Sequence, residues 1–187
     1  MTRGKLTPQN AALLLIDYQP AQVASVRSTD HELLVKNAVS TVRTIKAFDV
    51  PVVHSTVNVA SGQGQPTIPE LAGLLENDRP LDRTTVNSWK TPRSLRPAGR
   101  PAQEADLLRS LDRGLHGLYR SRRAARGYEV YPIVDAIGGT SLEAHRAGLE
   151  RVVQAGGQPI NWVSLACELQ LDQERVACLR PCAAATI

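Results

Sequence analysis

Apolar positions in this chain come in blocks separated by polar stretches. "AALLLID" (Ala11 to Asp17) is a continuous apolar run that closes on a carboxylate. A run of that length suits a strand buried on both faces. In "STDHELLVKNAVSTVRTIKAF", Leu34, Ala38, Val42 and Ile45 recur at helical spacing, and Ser28, Thr29 and Asp30 offer an N-cap. "VPVVHST" (Val50 to Thr56) reads as a second, β-branched strand. A Gly/Pro-punctuated loop, "VNVASGQGQPTIP", a short helix, "ELAGLLEN", and a loop-like "RPLDRTTVNSW" follow. The pattern returns with "YEVYPIVDA" (Tyr128 to Ala136) as a strand. "GGTSLEAHRAGLERVVQAGG" reads as a helix, with Thr140 and Glu143 as a capping box and Gly156 as its C-cap. "PINWVSLACEL" (Pro159 to Leu169) reads as a last strand. Strands alternating with helices predict a three-layer α/β/α protein with a parallel sheet, right-handed crossovers and a site at the carboxyl ends of the strands. Asp17 lies at such an end.

The 187 residues suffice for one domain, read as spanning 1–187, without internal repeats. A hydrophobic content of 42% with 21% charged residues fits a globular protein. No apolar run approaches the roughly 18 residues that span a bilayer. The opening "MTRGKLTPQNAALLLID" is not a convincing signal peptide, because its apolar run is short and an aspartate ends it. The expectation is a cytoplasmic protein with no membrane partner. Cys167, Cys178 and Cys182 are odd in number, crowd toward the C-terminus and form no CxxC pair, which argues against a disulfide framework or a zinc site.

Charge changes the picture in the middle of the chain. Between Lys90 and Arg126 there are ten Lys/Arg and three acids, so this segment carries +7 of a net +4 and the remainder is −3. "SLDRGLHGLYRSRR" (Ser110 to Arg123) contains no Val or Ile, where the rhythm of the flanks calls for a buried strand. Asp106, Arg109, Asp112 and Arg113 would each be costly inside a sheet. One reading is a surface arm for acidic partners or nucleic acid. Basic proteins that bind nucleic acid usually carry the charge on a folded face with aromatics or helical periodicity, and this block coincides instead with lost strand pattern, so no nucleic-acid partner is expected.

Several residues are open to two readings. Asp17 is a general base held ready by a nearby cation, or a strand-end aspartate capping a turn. Arg83 supplies that cation or binds a substrate carboxylate, or it is a solvated loop arginine. His54 stands without a second His or a carboxylate at metal spacing and reads as a plain polar residue; no metal or cofactor is expected. Glu143 and His145 read as helix surface or cap, and Cys167 as a packed core thiol.

Taken together, "ALLLIDYQ", "DRTTVNSW", "YEVYPIVDAIGGTSLEAHRAGLERVVQAG" and "WVSLACELQ" resemble the isochorismatase-like cysteine hydrolases, in particular the small oligomeric hydrolases related to nicotinamidase and N-carbamoylsarcosine amidohydrolase. The resemblance covers about residues 8–89 and 124–170. It implies a Rossmann-like sheet of six parallel strands, a homo-oligomer and an Asp–Lys/Arg–Cys triad acting on a small amide or related substrate. In that triad the cysteine sits at a helix N-terminus, where the dipole lowers its pKa and backbone amides form an oxyanion hole. Asp17 matches the family aspartate, Arg83 falls near the family cation, and Asn87 and Trp89 match an N-x-W loop that lines the substrate site. The nucleophile is the departure: the family has "LWTEVC" before the "GYEVY" strand, and this chain has "SLDRGLHG".

A shifted reading frame accounts for the departure. "SLDRGLHGLYRSRR" can be written in codons that, read one base later, give L-W-T-E-V-C-T-A-F-T-A-L-D. The cysteine codon then straddles Leu115 and His116. "QEADLLR" in the same frame becomes a basic pair leading into an apolar strand, and the written frame and family pattern agree again at Ala124. On this reading residues 90–123 are aberrant, the strand after residue 103 is doubtful, and the tail 171–187 is atypical. The chain as written has lost its nucleophile and is expected to be inactive. The alternative is a non-catalytic member retained as an oligomer subunit or small-ligand binder.

Overall fold

A computed structural model describes residues 6–85 and 129–170, and the backbone of 106–109. Strand β1 (Ala11–Ile16) forms where the sequence is most apolar, and all six of its residues are buried. Short helix α1 (Pro20–Ala24) starts on Pro20, whose fixed φ suits a first helical turn. Helix α2 (His31–Ala47) begins at Asp30, whose carboxylate accepts the Leu33 N–H at 2.9 Å. β2 (Val52–Val57), α3 (Pro69–Ala72) and β3 (Leu81–Arg83) follow, then β4 (Asp106–Arg109), β5 (Val130–Pro132), α4 (Leu142–Gln154) and α5 (Trp162–Gln170).

The five strands are parallel, in the order β3-β2-β1-β4-β5. The chain builds outward from β1 to β3, then crosses back to β4 on the other side of β1. That reversal puts the switch point of the strand order at the carboxyl ends of β1 and β4, the usual ligand position in such sheets. Ala11, Leu13 and Leu15 face a core shared with Leu34, Ala38, Val42 and Ile45 of α2 and Leu165 and Leu169 of α5. Ala12, Leu14, Ile16 and Val53 make a second, smaller cluster. Burial of both sets explains why β1 shows no alternation. The parallel-sheet α/β expectation is borne out, with five strands among the described residues where the resemblance implied six.

Several local expectations are corrected. The Pro159 to Leu169 segment is helical from Trp162, and its strand character shrinks to one bridge between Ile133 and Ile160. Capping decides the outcome. The Asn161 side chain accepts the Ser164 N–H at 2.7 Å, and the Asp135 carboxylate accepts the Trp162 N–H at 3.1 Å. Leu165, Ala166 and Leu169 then fall on one buried face. "RPLDRTTVNSW" is not all loop, because Leu81–Arg83 pairs with Ser55–Val57 as an edge strand. The Tyr128–Ala136 strand is trimmed to Val130–Pro132, and the "ELAGLLEN" helix to Pro69–Ala72.

The α4 cap is Ser141 rather than Thr140: the Ser141 hydroxyl accepts the Ala144 N–H, one position later than the Thr140–Glu143 box. Gly156, with φ at +90°, follows the C-cap residue Ala155 as the left-handed stop. The backbone of Asp106–Arg109 occupies the central place that its charges argued against. Leu107 and Leu108 take the middle positions, opposite Ala12 and Leu13, and Asp106 and Arg109 take the two ends.

Asp135 is a conflict inside this scaffold. Burial raises its carboxyl above the usual range, while the Trp162 N–H favours the charged form. A carboxyl raised on folding contributes stability that is complete below its unfolded pKa and is lost as pH rises through its folded pKa. Asp135→Asn keeps an acceptor for Trp162 and removes the buried charge. It is expected to gain stability on the parent as pH rises from 4 to 7. Asp135→Ala loses the cap, about 1 kcal/mol at pH 4, and recovers part of that loss toward pH 7 because it too removes the buried charge. Urea unfolding at the two pH values tests this, and equal losses for both variants at pH 7 would contradict it.

Candidate active site

β1 stops because Asp17 adopts a left-handed backbone, with φ at +59°. Aspartate tolerates that region better than most residues, though at a cost. The Asp17 N–H still donates to the Ser55 carbonyl of β2 at 2.9 Å, so the strand ends in register and the side chain is delivered to the carboxyl edge. Arg83 is the last residue of β3, two strands away, and its side chain is 4% exposed against 16% for Asp17. The Arg83 guanidinium reaches back across the end of β2. Its Nη2 donates to Asp17 Oδ2, its Nε to the Ser55 hydroxyl at 3.3 Å, and its Nη1 to the Thr85 carbonyl.

Three adjacent strand ends thus build one charge-paired cluster. Arg83 is a buried partner of Asp17 and not a solvated loop residue, and Asp17 does more than cap a turn. A carboxylate held against a guanidinium keeps its proton-accepting oxygens charged and oriented.

Two neighbours that the sequence reading passed over complete the turn. The hydroxyl of the fully buried Tyr18 donates to the Ala136 carbonyl, and its own carbonyl accepts the Ile68 N–H at 2.9 Å. Burial, with the Asp135 charge second, pushes this hydroxyl far above the usual tyrosine range, so it stays a donor. The Gln19 side chain, 1% exposed, bonds to Val57 and Gln65. The available signal was a polar Gln three residues after a wholly buried strand.

No protein-family model matches the chain. In sequence it is similar to the probable hydrolase YcaC of Escherichia coli, 23% identical over 170 residues that cover 90% of this chain and 81% of that one. In structure it superposes on YcaC from Pseudomonas aeruginosa with a TM-score of 0.84 at 21% identity, covering 97% and 91% of the two chains. The E. coli YcaC structure, an octameric hydrolase of unknown specificity, gives the same TM-score and identity over 99% and 90%. An isochorismatase family protein from Burkholderia thailandensis gives 0.70 at 17% identity, over 89% and 98%. The chain has the isochorismatase-like hydrolase fold. The resemblance read from the residues is borne out at that level.

Within this isochorismatase-like fold, the other candidates lie apart from the Asp17–Arg83 pair or outside the described residues. Asn87, Trp89 and the Leu115–His116 junction are outside them. His54 is buried with its Nε2 2.6 Å from the Thr67 hydroxyl, and burial lowers its pKa, as expected of a plain interior histidine. Glu143 and His145 sit in the first turns of α4. Cys167 is exposed on α5, which corrects both its reading as a core thiol and its place in a strand: it falls on the outward side of the helix that buries Leu165, Ala166 and Leu169. No three His, Cys, Asp or Glu among the described residues are grouped to hold a metal ion, and no described helix is long and apolar enough to cross a membrane.

Removing one partner of a desolvated pair leaves an uncompensated charge. Arg83→Met is therefore expected to lower stability by roughly 3 kcal/mol. The double change Asp17→Asn with Arg83→Met, which removes both charges, is expected to recover a good part of that loss. Urea midpoints for the single and double variants decide the matter; a double variant weaker than either single one is incompatible with a coupled pair.

Proposed function

We propose that the chain is an isochorismatase-like hydrolase scaffold whose Asp17 and Arg83 are the base and the cation of a site for a small amide or related C–N substrate, and whose nucleophile is missing from the chain as written. The observation that carries this reading is the Asp17–Arg83 ion pair at the carboxyl edge of the sheet, beside the point between β1 and β4 where the strand order reverses. The likeness to hydrolases with the same sheet supports it further. Asn87 and Trp89 are assigned to the substrate loop, and the nucleophile position to the Leu115–His116 junction in the shifted frame. The chain is further proposed to work without cofactor as a cytoplasmic homo-oligomer, by analogy with the octameric E. coli relative.

In the restored frame the chemistry would run as follows. Asp17 takes the thiol proton, and the thiolate sulfur bonds to the substrate carbonyl carbon. The C–N bond breaks as the proton passes to the departing amine. Water then cleaves the thioester, releasing the acid and regenerating the thiol. Arg83 keeps Asp17 ionised before the first transfer. A nucleophile in a relative fits the covalent acrylamide carried by the Pseudomonas protein, because acrylamide bonds covalently to nucleophiles.

Sequencing the source DNA across codons 88 to 126 tests the frame, and an assay tests the chemistry. The chain as written is expected to release no ammonia from a panel of small amides. A version carrying "LWTEVC" in the restored frame is expected to do so, with activity blocked by iodoacetamide and lowered about 100-fold or more by Asp17→Asn. Iodoacetamide-sensitive turnover by the chain as written would overturn the reading. Ligand binding without turnover in either version would favour the non-catalytic alternative.

A further inference from the structure

Between Asp17 and Gln19 the chain leaves β1, and each of the three side chains is anchored to a different part of the fold. Gln19 has the least expected role. Val57, the last residue of β2, lies beyond the last β1–β2 pair, Ile16 with Ser55. Had β1 run on, its backbone would have met that end of β2. The Gln19 carboxamide meets it instead: Oε1 accepts the Val57 N–H at 2.9 Å, and Nε2 donates to the Val57 carbonyl at 3.0 Å. A side-chain amide carries the same donor and acceptor as a peptide group, so it can stand in for one. The partners also fix the orientation of the amide, since a carbonyl needs a donor and an N–H an acceptor.

Nε2 also donates to the Gln65 carbonyl at 2.6 Å. Both N–H donors of Gln19 and its oxygen are thus engaged by backbone, in a side chain that is 1% exposed. That occupancy makes Gln19 unsuited to gripping a substrate and suited to holding the protein. The loop packs directly on this strut. A Cβ at Gly64 would fall 2.2 Å from the Val57 carbonyl oxygen and 3.1 Å from Gln19 Nε2. Gly64 in turn donates to the Asn58 carbonyl at 2.7 Å, and Asn58 donates to the Arg83 carbonyl at 2.8 Å. Hydrogen bonds joined through the Val57–Asn58 and Gly64–Gln65 peptide links therefore run from Gln19 to the backbone of the residue that pairs with Asp17.

We propose that Gln19 is a positioning residue: its carboxamide replaces the backbone that β1 withdraws at Asp17, and by bracing Val57 and the 58–65 loop it holds the Asp17 turn and Arg83 in register. The assignment rests on reading Asp17 and Arg83 as the site, but its test reads the ion pair and not turnover, so the two can fail separately.

The test compares the full chain with Gln19→Met and Gln19→Glu by amide hydrogen exchange and by NMR titration of the Asp17 carboxyl. Both variants are expected to speed exchange at residues 57–65 by about tenfold or more while α2 changes by less than about threefold. The Asp17 midpoint is expected to rise as the contact with Arg83 slackens. Gln19→Glu points a carboxylate oxygen at two carbonyls, so its loop is expected to be loosest at neutral pH and to recover in part on acidification, when the acid regains one donor. A loosened loop with an unmoved Asp17 midpoint would overturn the proposal and leave Gln19 as a loop brace. If neither variant folds, the parent decides: its Gln19 carboxamide protons are expected to exchange about 100-fold more slowly than free amide, and exchange at the free rate overturns the proposal.

Discussion

The structure depends on where β1 stops. A strand buried along its whole length has no polar side chain to offer a ligand, and one more residue of regular strand would have kept the Asp17 backbone in the ladder. The left-handed residue at Asp17 breaks the run while its N–H keeps the last contact with Ser55. Everything at the carboxyl edge is arranged around that break. Arg83 compensates the charge, Tyr18 ties the turn to the far side of the sheet through Ala136, and Gln19 closes the exposed end of β2. A strained backbone at a charged residue persists when its surroundings over-determine it. Three consecutive side chains with three independent anchors are that over-determination.

The ion pair is set up for orientation more than for stability. Two charges removed from water lose hydration that their mutual attraction scarcely repays, so a well-packed apolar pair of similar volume would do as well or better for folding alone. Arg83 nonetheless commits three nitrogens to three partners on three segments: Asp17, the Ser55 hydroxyl and the Thr85 carbonyl. Such a fork fixes the plane of the guanidinium and with it the Asp17 carboxylate. Lysine, a point donor on a flexible stem, would supply the charge without that geometry.

The parts of the fold written in local pattern were legible. β1 and α2 are strongly periodic or strongly apolar, and Asp30 announced its helix. Asp17 and Arg83 were legible as residues, but their pairing was not. It depends on β3 lying on the outer side of β2, and three residues of edge strand leave almost no periodic signal. α5 was misread because an apolar run of that length fits strand or buried helix equally well. The deciding signals were Asn161, read as part of a strand, and Asp135, which caps α5 from 27 residues away. Cys167 followed the same error: a thiol assigned to a buried strand becomes exposed when the period changes from 2 to 3.6. Gln19 could not be placed at all, since the sequence does not say that β2 outlasts β1.

The charged middle of the chain shows how little sequence a central strand needs. Four residues suffice for β4, and the two in its centre are leucines. Between Ala12 and Val130 on one position and Leu13 and Tyr131 on the next, Leu107 and Leu108 supply the apolar pair that the sheet requires there. Asp106 and Arg109 take the two ends of the strand. Backbone pairing is indifferent to side-chain identity, so a segment can keep the ladder of a parallel sheet while losing the chemistry that the sheet presents. Strand pairing and side-chain chemistry are therefore separable along this sheet. The β1–β3 ladder and the Asp17–Arg83 pair draw on residues whose pattern resembles the family, whereas β4 keeps its place in the sheet inside a segment that departs from that pattern.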